Sequence, residues 1–221
     1  MKTALIIGST GLVGNEILLE LINSPNYDEI ISFTRKPSGQ THKKLKEYLI
    51  NFEKPSTWHQ LVRGDVAYSA LGTTIKDAGS KEKQFQVDYT FQYEFAKACN
   101  KNAVGVFVLI SSLGANSSSP FFYAKIKGQL ENAIKKLNFR GLAIIQPSSL
   151  KGNRKKERSG EKISLQVIEF LNGLGLLKKY TPISSQIVAK AALNAAEKCI
   201  NNTQTFSDQG VFELANTHTK P

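Results

Sequence analysis

The sequence predicts an α/β fold, a doubly wound parallel sheet with helices packed on both faces. Three observations predict it. Strand-like and helix-like segments alternate from the first residues onward, the pattern of successive β-α-β units. Val104–Ser111 is almost continuously apolar, which fits a strand buried on both faces. A glycine-rich segment follows the first strand directly and opens the first helix.

Ala4–Gly8 is a short apolar strand; its run is too short for the roughly 7–15 residues of a secretion signal's core, so no signal peptide is expected. Leu12–Asn23 carries Ile17, Leu18, Leu21 and Ile22 on one helical face. Ile30–Phe33, Tyr48–Phe52 and Asp65–Leu71 are expected as strands two to four, with a short helix over Pro55–Leu61. A long helix is expected from about Glu82 to Asn100, followed by the strand at Val104–Ser111. Ser119-Pro120 reads as a helix start, serine as N-cap and proline in the first position; that helix should run to about Leu137. Leu142–Gln146 is the next strand, broken by Pro147. Helical patterns return at Leu165–Leu171 and Gln186–Cys199, and Val211–Leu214 suggests a last strand. Ser148 to about Gly160 is a long, polar, basic loop of the kind that often carries function.

No apolar run reaches the roughly 20 residues needed to span a bilayer, so no membrane partner is expected. The net charge of +11 collects partly in His42–Lys46 and in Lys151–Lys162. Basic charge can serve nucleic acid, but no helix-turn-helix, zinc module or RNP aromatic pattern accompanies it, so solvated surface lysines are expected and nucleic acid is not. Cys99 and Cys199 lie among helical residues without metal-ligand spacing. No metal site is expected, and two reduced thiols fit a cytoplasmic location.

Gly8, Gly11 and Gly14 form G-x-x-G-x-x-G between strand and helix. Gly8 permits a tight turn, Gly11 lets backbone approach a pyrophosphate, and Gly14 lets the helix pack close to the sheet. The free N–H groups and dipole of the helix start favour phosphate. Gly8, Ser9, Thr10, Gly11, Leu12, Val13 and Gly14 are therefore candidate dinucleotide-binding residues, and the fold becomes Rossmann-type. An acidic residue at the end of the second strand would bind a ribose 2′-hydroxyl. Thr34-Arg35-Lys36 stands there instead. A guanidinium pairs with phosphate oxygens and stacks on adenine, so Arg35, with Lys36 in support, points to NADP, with NADPH preferred over NADH. The whole chain, 1–221, reads as one domain, with a cofactor half over about 1–147 and a small C-terminal, substrate-side extension over about 148–221.

Tyr123 and Lys127 are four residues apart and share one helical face. A nearby ammonium and a helix N-terminus favour an ionised phenol, which could trade a proton with a substrate oxygen. Ile110-Ser111-Ser112 ends the preceding strand and could bring a hydroxyl beside Tyr123.

The three glycines, Ile110-Ser111-Ser112 and Tyr123-x-x-x-Lys127 resemble those of the short-chain dehydrogenase/reductases. Asp65–Thr74, Val87-Asp88-Tyr89, Tyr123–Gly128 and Asn153–Glu161 are similar to the atypical branch that holds the Tat-interacting-protein-like oxidoreductases. The resemblance covers nearly the whole chain. It implies that Leu71, Gly72, Thr73 and Thr74 line the cofactor, and that Pro147 to Leu150 lie along the nicotinamide. It implies Tyr123 as catalytic acid/base, Lys127 on the nicotinamide ribose and Ser112 on the reacting oxygen. Two departures stand out. Ser112 is closer to Tyr123 than in many typical members, which keeps Ser111 open. The relay asparagine of typical members has no clear match, and Asp88 occupies the corresponding helix region.

Two functions follow. One is an NADPH-dependent reductase of a small-molecule carbonyl. The other is an NADPH-binding regulator with little turnover, acting on a protein partner. The Ser/Tyr/Lys set favours the first. Neither the substrate nor the oligomeric state is written in the sequence.

Overall fold

A computed structural model describes residues 2–151 and 182–217. Its main sheet, among the described residues, has seven strands. They are β1 (Thr3–Ile7), β2 (Glu29–Thr34), β3 (Leu45–Leu49), β4 (Val66–Ser69), β5 (Val106–Ile110), β6 (Gly141–Gln146) and β9 (Thr203–Ser207). The order is β3-β2-β1-β4-β5-β6-β9, and every pairing is parallel. The chain starts at the centre, winds outward to β3, then returns to wind the other way. Loops after β1 and β4 therefore meet at the reversal point, where such sheets bind ligands. Short strands β7 (Leu150–Lys151) and β8 (Ile183–Ser184) form a separate parallel pair.

Alternation along β1 sorts the core into two layers. Ala4 and Ile6 pack with α1 (Leu12–Asn23), α6 (Ser185–Lys198) and α7 (Gln209–Asn216). Leu5 and Ile7 pack with α4 (Phe91–Lys101) and α5 (Phe122–Lys135). The first layer is lined with the small alanines of α6, which let that helix lie close to α1 and the sheet. The second is aromatic: Phe33, Trp58, Phe95 and Phe107 are fully buried, and Phe33 and Phe95 meet at 6.0 Å between ring centroids. One polar pair crosses the first layer, with the Tyr27 and Tyr68 hydroxyls 2.8 Å apart, so neither is left without a partner.

Several expected elements differ. The third strand lies at Leu45–Leu49 rather than Tyr48–Phe52, because the chain leaves the sheet at exposed Asn51 and buries Phe52 against Trp58, whose Nε1 donates to the Asn51 carbonyl at 3.0 Å. Pro55–Leu61 is two 3₁₀ turns, Pro55–Thr57 and His59–Leu61. The long helix is divided into α3 (Lys81–Phe85), a π-helical turn at Gln86–Thr90 and α4, with the short α2 (Ile75–Ala78) before it. α5 starts at Phe122, not Pro120. Ser119 accepts from the Phe121 N–H only two residues on, a local turn rather than a helix cap. The last strand is Thr203–Ser207. Val211 and Leu214 are instead buried three apart on one face of α7, a helical spacing mistaken for a strand. The helical pattern at Leu165–Leu171 and most of the basic loop lie outside the described residues.

Candidate functional site

The glycine loop sits between β1 and α1. Gly8 has φ +85°, and a Cβ there would lie 2.5 Å from the Ala70 carbonyl carbon. A Cβ on Gly14 would lie 2.0 Å from the Gly8 carbonyl oxygen. Both glycines thus let backbone meet backbone. Gly11 is different. It is exposed, and a Cβ there would find the Gly8 oxygen at 3.2 Å and otherwise only the Ala70 oxygen at 4.0 Å. Gly11 caps α1 without a side-chain hydrogen bond, and the first turn holds no acidic residue. An open, uncapped, acid-free helix start fits the pyrophosphate of a dinucleotide.

The other loop residues divide. Thr10 is exposed and Leu12 partly so, while Val13 is buried in the first core layer and can offer a ligand only backbone. Ser9 departs from its expected role in one respect. Its hydroxyl is fully buried and lies 2.7 Å from the Ser32 hydroxyl, so the side chain ties β1 to β2 and leaves only backbone for a ligand. At the end of β2, Arg35 and Lys36 are both exposed. Their turn is fixed by the Thr34 hydroxyl, which donates to the Lys36 carbonyl at 2.7 Å.

Ser111 and Ser112 have different partners. Ser111 is buried and donates to the Glu131 carboxylate, which also accepts Gln146 Nε2 at 2.9 and 3.1 Å. The Ser112 hydroxyl donates weakly to the Leu113 carbonyl at 3.4 Å and is near enough to the Tyr123 phenol to pull it down. The loop between them and α5 is pinned by Leu113 N–H on the Pro147 carbonyl (3.0 Å) and Asn116 N–H on the Ala124 carbonyl (3.0 Å). Gly128 allows this crossing, since a Cβ there would lie 2.2 Å from the Ser117 nitrogen. Pro147 is buried with its carbonyl engaged in that contact.

Lys127 is buried, and its Nζ lies 5.9 Å from the Tyr123 ring centre. Its nearest charge is Asp88 on the π-helical turn, with Nζ 3.2 Å from Oδ1 in an ion pair of imperfect hydrogen-bond alignment. Asp88 Oδ2 accepts the Thr73 N–H at 3.1 Å, and Gln84 Nε2 donates to the Thr73 carbonyl at 3.1 Å. Thr73 therefore has both backbone groups committed inside the protein. Leu71 packs on the second core layer and Gly72 is exposed.

These contacts set the protonation behaviour. Burial pushes the Tyr123 phenol up; Lys127 pulls it down, Asp88 pushes it up, and the net result is above the ordinary value. The expected lowering by Lys127 is present but is outweighed. Burial pushes the Lys127 ammonium down, but Asp88, then Tyr123 and Glu131, hold it above its ordinary value. Burial raises the Asp88 carboxyl more than Lys127 and Thr73 lower it.

Sequence reasoning undervalued Asp88 and missed Glu131. The signal for Glu131 was available: it stands four residues after Lys127, as Lys127 does after Tyr123. No group of three or more His, Cys, Asp or Glu residues able to hold a metal occurs among the described residues.

Sheet order, glycine loop and the Ser–Tyr–Lys edge together define a short-chain dehydrogenase/reductase. Residues 4–128 match the model of the NAD dependent epimerase/dehydratase family, and the chain belongs to that family. "Protein FMP52, mitochondrial" of Candida albicans is 37% identical over 202 residues, covering 89% of this chain and 88% of the relative. The protein of the same name from Emericella nidulans is 32% identical over 225 residues, covering 97% and 95%. These relatives fit the atypical branch. Among solved structures, the UDP-Glc/GlcNAc 4-epimerase from Campylobacter jejuni aligns with TM-score 0.73 at 14% identity, covering 96% of this chain and 82% of that one. The Bordetella bronchiseptica enzyme WbmH in complex with NAD+ aligns with TM-score 0.70 at 15% identity, covering 100% and 84%. At such identities they bear on the fold alone. The cytoplasmic expectation is corrected by the curated relatives, whose names are mitochondrial and point to mitochondria instead. Two reduced thiols do not distinguish the two compartments.

Proposed function

We propose that this protein is an NADPH-dependent oxidoreductase that reduces a carbonyl group of a small molecule. The observation that carries the reading is the convergence of Ser112, Tyr123 and Lys127 on one side of the sheet edge that also holds the open Gly11. Family membership supports a nicotinamide dinucleotide. The absence of an acid beside exposed Arg35 supports the 2′-phosphorylated form.

The dinucleotide, when bound, supplies the hydride that reduces the carbonyl carbon. The chain does the rest. Backbone at Gly8–Gly14 receives the pyrophosphate, with Arg35 and Lys36 at the 2′-phosphate. Leu71, Gly72 and Thr73 would line the cofactor, and Pro147 would lie along the nicotinamide. Ser112 donates a hydrogen bond to the carbonyl oxygen, and Tyr123 gives that oxygen its proton. Lys127 binds the ribose and favours the phenolate left behind, which solvent then reprotonates.

Oxidation of NADPH, followed by its absorbance against a panel of aldehydes and ketones, tests this reading. Turnover that falls in Tyr123→Phe is the expected result. Tight NADPH binding with no turnover on any carbonyl would favour the regulatory reading, in which cofactor occupancy governs a protein partner.

A further inference from the structure

Lys127 is expected to face a ribose and a phenol, yet the structure gives it a different first partner. Its side chain is 3% exposed and that of Asp88 is 0% exposed, with Nζ and Oδ1 3.2 Å apart. Burying two charges carries a large desolvation cost, so such a pair persists only when it is well held. This one is held from three sides. Asp88 Oδ2 takes the Thr73 N–H, Gln84 fastens the Thr73 carbonyl, and Gln92 Nε2 donates to the Asp88 carbonyl at 2.8 Å. Gln92 in turn accepts from the Ser69 hydroxyl at 2.9 Å, which anchors the turn to the end of β4. The backbone at Asp88 is π-helical, a conformation that recurs at functional sites and here directs one residue inward from an otherwise amphipathic helix.

We propose that Asp88 is a positioning residue of the candidate site: its carboxylate holds the Lys127 ammonium with one oxygen and the cofactor-side loop at Thr73 with the other. This inference rests on the oxidoreductase reading for its purpose, though not for its physical test. Asp88 touches neither cofactor nor substrate in this role. It keeps a buried lysine charged and fixes the distance between α5 and the loop after β4. The charged and titratable groups around Lys127 are Asp88, Tyr123 and Glu131. Asp88 is the one in ion-pair contact, so it dominates.

The test is Asp88→Asn, which keeps size and an acceptor for Thr73 while removing the charge. Lysine labelled with ¹³C at Cε, with the Lys127 signal assigned by Lys127→Met, reports the titration in the cofactor-free protein. The ammonium should lose its proton about 1–3 pH units lower than in the wild type, the span that one close opposite charge confers. With NADPH, the variant should lose affinity as pH rises through that new midpoint, where the wild type does not. A Lys127 midpoint unchanged by Asp88→Asn overturns the proposal, as does an unchanged pH dependence of NADPH binding.

Should Asp88→Asn fold but prove too unstable to titrate at alkaline pH, the thermal stability of Asp88→Asn/Lys127→Met decides. Recovery of part of the melting temperature lost in the single variants supports the pair, and simple addition of the two losses overturns it. A wild-type protein that fails to bind NADPH would sink the oxidoreductase reading while leaving the titration and stability results to judge the pair itself.

Discussion

Tyr123 holds its proton more tightly than a free phenol because burial outweighs the pull of Lys127. The sign of the pH dependence follows. A raised value keeps the donor form present through neutrality and loses it only on the alkaline side, above the ordinary phenol value of about 10. Carbonyl reduction should therefore be insensitive to the ionisation of Tyr123 from pH 6 to about 10 and decline only beyond it, which a profile of kcat/KM against pH will check. Tyr123→Phe should cost about 10²–10⁴ in rate while NADPH still binds. Lys127→Met should weaken both rate and cofactor affinity, and Ser112→Ala chiefly the rate. Paired turnover and binding assays separate the three. At this scale the sequence spacing shows the tyrosine and lysine plainly, because four residues is one helical turn. It could not choose between Ser111 and Ser112, since that depends on Glu131 arriving from the next turn of α5 to engage Ser111. Nor could it show Ser9 turned inward onto Ser32, a contact between positions 23 apart.

The glycines act through the elements that they join. A methyl on Gly128 would meet the Ser117 nitrogen at 2.2 Å, so Gly128→Ala should push the 112–120 loop off α5 and carry Ser112 with it. Overpacking of this kind typically costs about 1–3 kcal/mol, readable as a lowered melting temperature together with reduced turnover. Gly11→Val acts oppositely. Its side chain points toward open space apart from the Gly8 carbonyl, so the fold should survive while dinucleotide affinity is lost. Calorimetric titration of the folded variant checks this, and unchanged affinity would remove Gly11 from the site. Boundaries were less legible than the elements themselves. The expected start of α5 rested on Ser-Pro, a strong local signal, but the chain spends Ser119 on a two-residue turn before the helix begins at Phe122. The π-helical turn at Gln86–Thr90 was not legible, because the contacts that Asp88 makes from it, with Lys127 and the Thr73 N–H, come from distant parts of the chain.

For the whole molecule, alternating strands and helices were enough to foresee a parallel, doubly wound sheet, and the observed strand order follows from the reversal that such winding requires. What alternation could not supply was the outer edge. β9 is half exposed, with only every second residue partly buried, while Val211 and Leu214 carry the stronger apolar signal and belong to a helix. Compartment was not legible either: two reduced thiols fit a cytoplasmic location, whereas the names of the relatives point to mitochondria. The proposed function places a 2′-phosphorylated nicotinamide dinucleotide at the glycine loop and Arg35. Side-by-side calorimetric titrations of the wild type and Arg35→Ala with NADPH and NADH decide this. The wild type should bind NADPH more tightly than NADH, and Arg35→Ala should lose mainly this preference; equal affinity of the wild type for both, or binding of neither, would overturn the assignment.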